Sequence, residues 1–209
     1  QESVDLVAKA FELGDKYRMP AMILSDGMLG QMMEPVVLPE KQITPPQKEW
    51  AANGTQGKRK HNIINSLYIQ PDELEKLVRE RFLKYAEIEK KETMAERYLT
   101  DDADLIIVAY GASSRVSRSA VNALRAKGLK VGLLRPITLW PFPKAEIRAC
   151  IPTVKKFLTV EMSMGQMVDD VRLAVNGERQ VEFYGRTGGI IPTPAEIAVT
   201  AENSCKVTF

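Results

Sequence analysis

Residues 104–143 read DLIIVAYGASSRVSRSAVNALRAKGLKVGLLRPITLWPFP. The apolar run at 105–110 is rich in β-branched residues and stops at Gly111 and two serines. Val116, Ala120, Val121 and Leu124 follow at helical spacing, so the run predicts strand, turn and helix. Gly128 stands where a helix C′ glycine would, and 131–134 resumes as a second buried strand closing at Pro136. Such a unit is a right-handed β-α-β crossover, which makes a parallel sheet covered by helices the expected architecture.

The pattern continues toward the C-terminus. A short helix is expected at 143–150 with Ile147 inward, then a strand at 156–161 and a helix at 163–176 carrying Met167, Val168, Val171 and Val175 on one face. Ser163 and Gln166 have capping-box spacing at that helix start, and Gly177 ends it. A fourth strand is expected at 181–184. Thr193, Pro194 and Glu196 then supply N-cap, N1 proline and capping-box partner for a last helix reaching Ser204. Residues 100–209 thus read as an α/β domain, a three-layer sandwich with a mostly parallel sheet.

In an open parallel sheet, ligands and partners gather at the carboxyl ends of the strands. The candidate residues there are Ser114 and Arg115, Arg135, Gly165 and Gln166, and Arg186 with Gly188 and Gly189. The turn after the first strand is GASSRV and lacks the GxGxxG glycines of a dinucleotide site. Ser113 or Ser114 reads as an ordinary N-cap, or the helix start with Arg115 as a generic anion site. Arg186, among the glycines at 185, 188 and 189, is either a bidentate donor for carboxylate or phosphate or the ion-pair partner of Glu161. Glu161 has no second carboxylate or histidine at a telling spacing, and no residue is assigned a catalytic role.

Toward the N-terminus, Leu6, Val7, Ala10 and Phe11 form a helical stripe weakened by Gly14, and 19–24 reads as a short buried strand. One helix and one strand do not make a domain, so 1–34 reads as the tail of a sheet domain whose start precedes Gln1. Residues 35–57, with prolines, glycines and no sustained period, read as a linker. Lys58, Arg59, Lys60 and the single histidine, His61, follow; they form a solvated loop or a contact for phosphate or an acidic partner. A long helix is expected over 71–99, with Leu74, Leu77, Val78, Phe82, Tyr85 and Ile88 on one face.

With 209 residues, 44% hydrophobic and a formal net charge of +2, the composition argues against nucleic acid or an anionic membrane as partner. No apolar run approaches the roughly 20 residues of a membrane span, and a cytoplasmic location is expected. Cys150 and Cys205 form no CxxC, so neither an iron–sulfur nor a zinc site is encoded, and both read as half-buried packing residues.

The runs YGASSR, GLLRPITLWPFP, VEMSMGQMVDDVRLAVNG and FYGRTGG with IPTPAEI, in this order, resemble the α subunit of the 2-oxoacid:ferredoxin oxidoreductases, nearest the 3-methyl-2-oxobutanoate (2-oxoisovalerate) branch. The resemblance covers essentially the whole chain. It implies that 100–209 is a transketolase C-terminal-like domain, that 35–99 is linker and long helix, and that 1–34 ends a thiamine-diphosphate pyrimidine-type domain. It also implies an assembly that oxidatively decarboxylates a branched 2-oxoacid on thiamine diphosphate with magnesium, passes electrons through 4Fe–4S clusters to ferredoxin and yields the acyl-coenzyme A. The thiamine-binding β chain and ferredoxin-like chains would be partners holding those groups, with none bound by this chain alone. A 2-oxoglutarate or pyruvate enzyme of the same family, and a non-enzymatic assembly or anion-binding module, are the alternatives.

Overall fold

In the computed structural model the described residues are 1–38 and 48–206. Part of the segment read as a linker, 39–47, therefore lies outside them. The chain divides into two units, Gln1–Ala86 and Glu87–Phe209.

The second unit is built on a five-stranded sheet in the order β1-β3-β2-β4-β5. β2 (Leu105–Val108) lies at its centre, parallel to β3 (Val131–Pro136) on one side and to β4 (Lys156–Glu161) on the other, and β5 (Gln180–Gly185) extends the parallel run. All four residues of β2 are buried, as a strand covered on both faces requires. Alternation sorts the side chains into two cores. Leu105, Ile107, Leu133, Leu158 and Val160 face one core, closed by α4 (Gly111–Ala126) and α7 (Pro194–Lys206). Ile106, Val108, Leu134 and Phe157 face the other, closed by α5 (Lys144–Cys150) and α6 (Met167–Val175). This is the expected three-layer sandwich.

Helix α4 ends as its sequence reads. Gly128 takes φ +83°, its N–H donates to Arg125 O at 2.9 Å, and Leu129 N–H donates to Leu124 O at 3.1 Å. These two bonds are the Schellman pair that satisfies the last carbonyls. At α7 the predicted capping box forms: Glu196 N–H donates to Thr193 Oγ1 at 3.2 Å, and Thr193 N–H returns to Glu196 Oε2 at 2.8 Å.

The sheet also contains a strand the sequence reading did not anticipate. The helix expected over 71–99 is α3 (Pro71–Lys91), and Ala95–Tyr98 is β1, antiparallel to β3 at the sheet edge. Its register places Glu96 opposite Arg135, and their side chains pair at 2.9 Å. An edge strand with one neighbour and a wet face carries no apolar run, so AERY passes for the polar end of a helix. Tertiary pairing overrides the helical period there.

The first unit contains α1 (Glu2–Tyr17), α2 (Gly27–Gln31) and most of α3. The strand expected at 19–24 does not form: those residues are irregular, with Met22 80% and Leu24 71% exposed. A strand needs a neighbour to take its N–H and C=O groups, and none adjoins it among the described residues. Asp26 instead caps α2 by accepting from Leu29 N–H at 2.8 Å. Tyr17 is the one buried residue among the described residues of this unit, and Phe11, Phe82 and Leu83 face water.

Candidate functional site

The candidate residues lie at or just beyond the carboxyl ends of β2, β3, β4 and β5, but their local chemistry differs from the sequence reading. After β2, Tyr110 is the N-cap residue, in extended conformation and making no side-chain cap bond. Gly111 at φ +54° lets the chain enter α4 at once. The helix therefore begins before either serine. Ser113 and Ser114 are buried within its first turn and do not cap it; the Ser114 hydroxyl donates to Gly111 O at 2.7 Å. Arg115 stands on the exposed side of the same turn.

Arg135, at the end of β3, donates through Nε to Glu96 Oε2 at 2.9 Å, and Arg118 of α4 pairs with the other oxygen of Glu96. The Arg118 guanidinium lies 4.3 Å from the Tyr98 ring centre. Arg135 is thus committed to fastening β1 onto β3.

The end of β4 is organised by Glu161, 2% exposed. Its Oε2 accepts from Gln166 N–H at 3.1 Å and Met167 N–H at 3.0 Å, its Oε1 from Val168 N–H at 2.9 Å, and the Ser163 hydroxyl donates to it at 3.0 Å. The Ser163–Gln166 capping box is therefore not made. A carboxylate reaching back from the strand caps α6 in its place, neutralising the first-turn amides where the helix dipole favours negative charge. Glu161 is also not the partner of Arg186. It already holds four donors, and only the Arg186 backbone N–H meets it, at its carbonyl, 3.1 Å away.

The tip between Glu161 and α6 is tightly determined. Ser163 Oγ accepts from Gly165 N–H at 3.1 Å, Gly165 sits at φ +106°, and Met164 is left 83% exposed. Gly185 packs beneath it so closely that a Cβ there would lie 2.4 Å from Ser163 O. Beyond β5, Ile190 N–H donates to Thr187 O at 3.2 Å across Gly188 (φ +65°) and Gly189 (φ +82°). Positive φ at both central positions is the signature of a type I′ turn, which glycine adopts without strain.

Arg186 reaches the start of α7, where its terminal nitrogen lies 3.4 Å from Glu196 Oε1. The Glu196 carboxyl is held below its usual range, first by the Thr193 backbone N–H, then by the Thr193 hydroxyl, and last by Arg186. Asp170, on α6, is shifted upward, chiefly by burial and opposed by Lys144. The structure thus brings Glu161, Ser163, Gly165, Gln166 and the Arg186 backbone together, while Ser114, Arg115 and Arg135 keep partners of their own. Sequence reasoning missed the cap because it spans five to seven residues, beyond any helical motif. The available signal was a glutamate closing an apolar strand ahead of a helix with no acid at its N-cap.

The donor set does not fit a metal centre or an iron–sulfur cluster. Among the described residues no group of three His, Cys, Asp or Glu side chains converges. Cys150 is fully buried, rather than half-buried, and Cys205 is part-buried; both are free. None of the described helices is long and apolar enough to cross a membrane.

Residues 103–197 match the family described as pyruvate:ferredoxin oxidoreductase core domain II. Over 190 residues the chain is 49% identical to the ketoisovalerate oxidoreductase subunit VorB of Methanothermobacter thermautotrophicus, covering 90% of this chain and 53% of that one. It is 32% identical to the 2-oxoglutarate synthase subunit KorA of Methanothermobacter marburgensis, covering 94% of this chain and 60% of that one. A solved structure titled as 2-oxoglutarate:ferredoxin oxidoreductase from Magnetococcus marinus, with 2-oxoglutarate, coenzyme A and succinyl-CoA bound, shares the fold. The TM-score is 0.70 and the identity 24%, over 93% of this chain and 39% of that one. The chain spans about half the length of the ketoisovalerate oxidoreductase subunits it matches. Residues 103–197 thus match the pyruvate:ferredoxin oxidoreductase core domain II, and the chain as a whole is similar to the corresponding half of 2-oxoacid oxidoreductase subunits.

Proposed function

We propose that this chain is part of a subunit of a cytoplasmic, multi-chain enzyme that oxidatively decarboxylates 2-oxoisovalerate to the acyl-coenzyme A and passes the electrons to ferredoxin. The observation that carries the reading is the identity gradient, 49% to a ketoisovalerate oxidoreductase subunit against 32% to a 2-oxoglutarate synthase subunit. Thiamine diphosphate supplies the decarboxylation chemistry and 4Fe–4S clusters the electron path, and both are held by partner chains or by other parts of the subunit.

This chain's own contribution is structural. Residues 100–209 form the packing domain, whose carboxyl edge, with Arg115, Gly165, Gln166, Arg186, Gly188 and Gly189, faces partners. Residues 1–34 belong to the pyrimidine-side domain, and 35–99 join the two. Support comes from the first unit itself, whose exposed Phe11 (75%), Met22 (80%) and Met33 (97%) need further polypeptide to cover them.

The test uses the full-length protein with the chains that co-purify with it. Reduction of a low-potential dye is followed with 2-oxoisovalerate, pyruvate and 2-oxoglutarate, each with coenzyme A. The fastest reduction is expected with 2-oxoisovalerate. Preference for another acid overturns the branch, and no reduction with any of them overturns the enzyme reading.

A further inference from the structure

The Arg186 guanidinium is incompletely satisfied among the described residues. Its side chain is 36% exposed, yet its Nε is shut off from solvent and has no hydrogen-bond partner. Its ion contact among the described residues, to Glu196 Oε1, is 3.4 Å long, whereas charge-assisted bonds run to about 2.7–2.9 Å. Glu196 is occupied elsewhere: its other oxygen takes the Thr193 N–H at 2.8 Å and the Thr193 hydroxyl at 3.0 Å. A guanidinium carries five N–H donors in a planar fork, and a buried donor without a partner is costly. The Nε is thus enclosed by this chain, and an incoming group can meet the guanidinium only at its terminal nitrogens.

The surroundings indicate what completes it. Ile190 and Ile191, in the same loop, are 54% and 40% exposed. Met164, 83% exposed, tips the neighbouring loop, which Arg186 N–H joins at Glu161 O. A small oxoanion would satisfy the cation and leave these side chains in water. A polypeptide presenting a carboxylate among apolar side chains would satisfy both. We infer that Arg186 is the anchor of a protein–protein contact, its terminal nitrogens donating to an aspartate or glutamate of a partner chain, with Ile190, Ile191 and Met164 covered around it. The inference rests on the multi-chain reading above and adds the anchoring residue and the chemistry of its partner.

The test uses the assembled complex carrying Arg186→Lys. A water-soluble carbodiimide activates carboxylates, and a lysine amine within reach displaces the urea to form an amide, which mass spectrometry locates. Coupling of position 186 to an acidic residue of a partner chain is the expected result. Coupling to Glu196 alone, or coupling to no carboxylate in an intact complex, overturns the proposal. Protection of position 186 by millimolar phosphate without polypeptide coupling also overturns it, in favour of a small-anion site.

A second variant separates docking from folding. Because its Nε has no hydrogen-bond partner among the described residues and its ion contact to Glu196 is long and part-exposed, Arg186→Leu should leave the unfolding midpoint of the full-length chain unchanged or higher. Its affinity for the partner chains should fall on the order of 10- to 100-fold. A lowered midpoint with unchanged affinity makes Arg186 a structural residue and sinks the proposal. Dye reduction by the unmodified complex is read in parallel, so failure of the anchor is distinguishable from failure of the enzymatic reading.

Discussion

Glu161 Oε1 accepts a hydrogen bond from Val168 N–H at 2.9 Å, so a side chain at the end of β4 closes a helix seven residues later. Removing the carboxylate strands the buried Met167 and Val168 amides, together with the part-buried Gln166 amide and Ser163 hydroxyl. Glu161→Ala should cost about 3 kcal/mol, from cap loss together with buried donors left unpaired. Urea unfolding of the full-length chain measures it, and a loss under about 1 kcal/mol would show that the loop re-pairs its amides without the carboxylate.

The glycines around the same loop should respond differently. Gly185→Ala drives a Cβ to 2.4 Å from Ser163 O, a backbone atom held by the Glu161 loop. Gly188→Ala meets open space and suffers only the left-handed backbone at φ +65°. The first should cost roughly 2–4 kcal/mol and the second about 1. Equal effects in paired denaturation curves would show that the close approach is not constraining.

The acid limb of stability should depend on Glu196. Its folded pKa lies below the unfolded value, so it contributes stability above the unfolded pKa of about 4.3 that is lost as pH falls through the folded one. Glu196→Gln should be less stable than the parent at neutral pH, and the two should converge as the pH drops below 4. A gap that stays constant down to pH 2 would refute the capping-box assignment.

The edge strand offers a fourth test. Glu96 bridges Arg118 and Arg135 in a half-exposed setting, so a Glu96–Arg135 double-mutant cycle should return only about 0.5–1 kcal/mol. Glu96→Ala should speed amide exchange in β1 before it affects β2. Simultaneous loss of protection in both strands would mean that β1 does not open by itself.

What the sequence disclosed follows the range of the interactions. β2, α4 and β3 were legible because each carries its signal within a few residues: a run buried on both faces, a helical stripe, a Schellman glycine. The Thr193–Glu196 box was legible for the same reason. β1 was hidden because its pairing with β3 joins Ala95 to Pro136, and the strand supplies no apolar pattern of its own. The α6 cap was hidden because a local rule nominates Ser163, while the fold brings in Glu161 from the strand. At 19–24 the composition suggested a strand, but composition supplies no neighbour. The candidate edge was found from topology alone; which of its cations are already paired depends on contacts such as Glu96–Arg135 that only three-dimensional structure reveals.

The Glu161 cap also decides how this edge treats solutes. The N-terminus of a helix at the end of a parallel strand is a natural receptor for phosphate or carboxylate. Here the receptor comes with an internal inhibitor. A carboxylate tethered by its own backbone competes as an intramolecular ligand, at an effective concentration in the millimolar range or above. A free anion would have to displace Glu161 from the Met167 and Val168 amides to bind there.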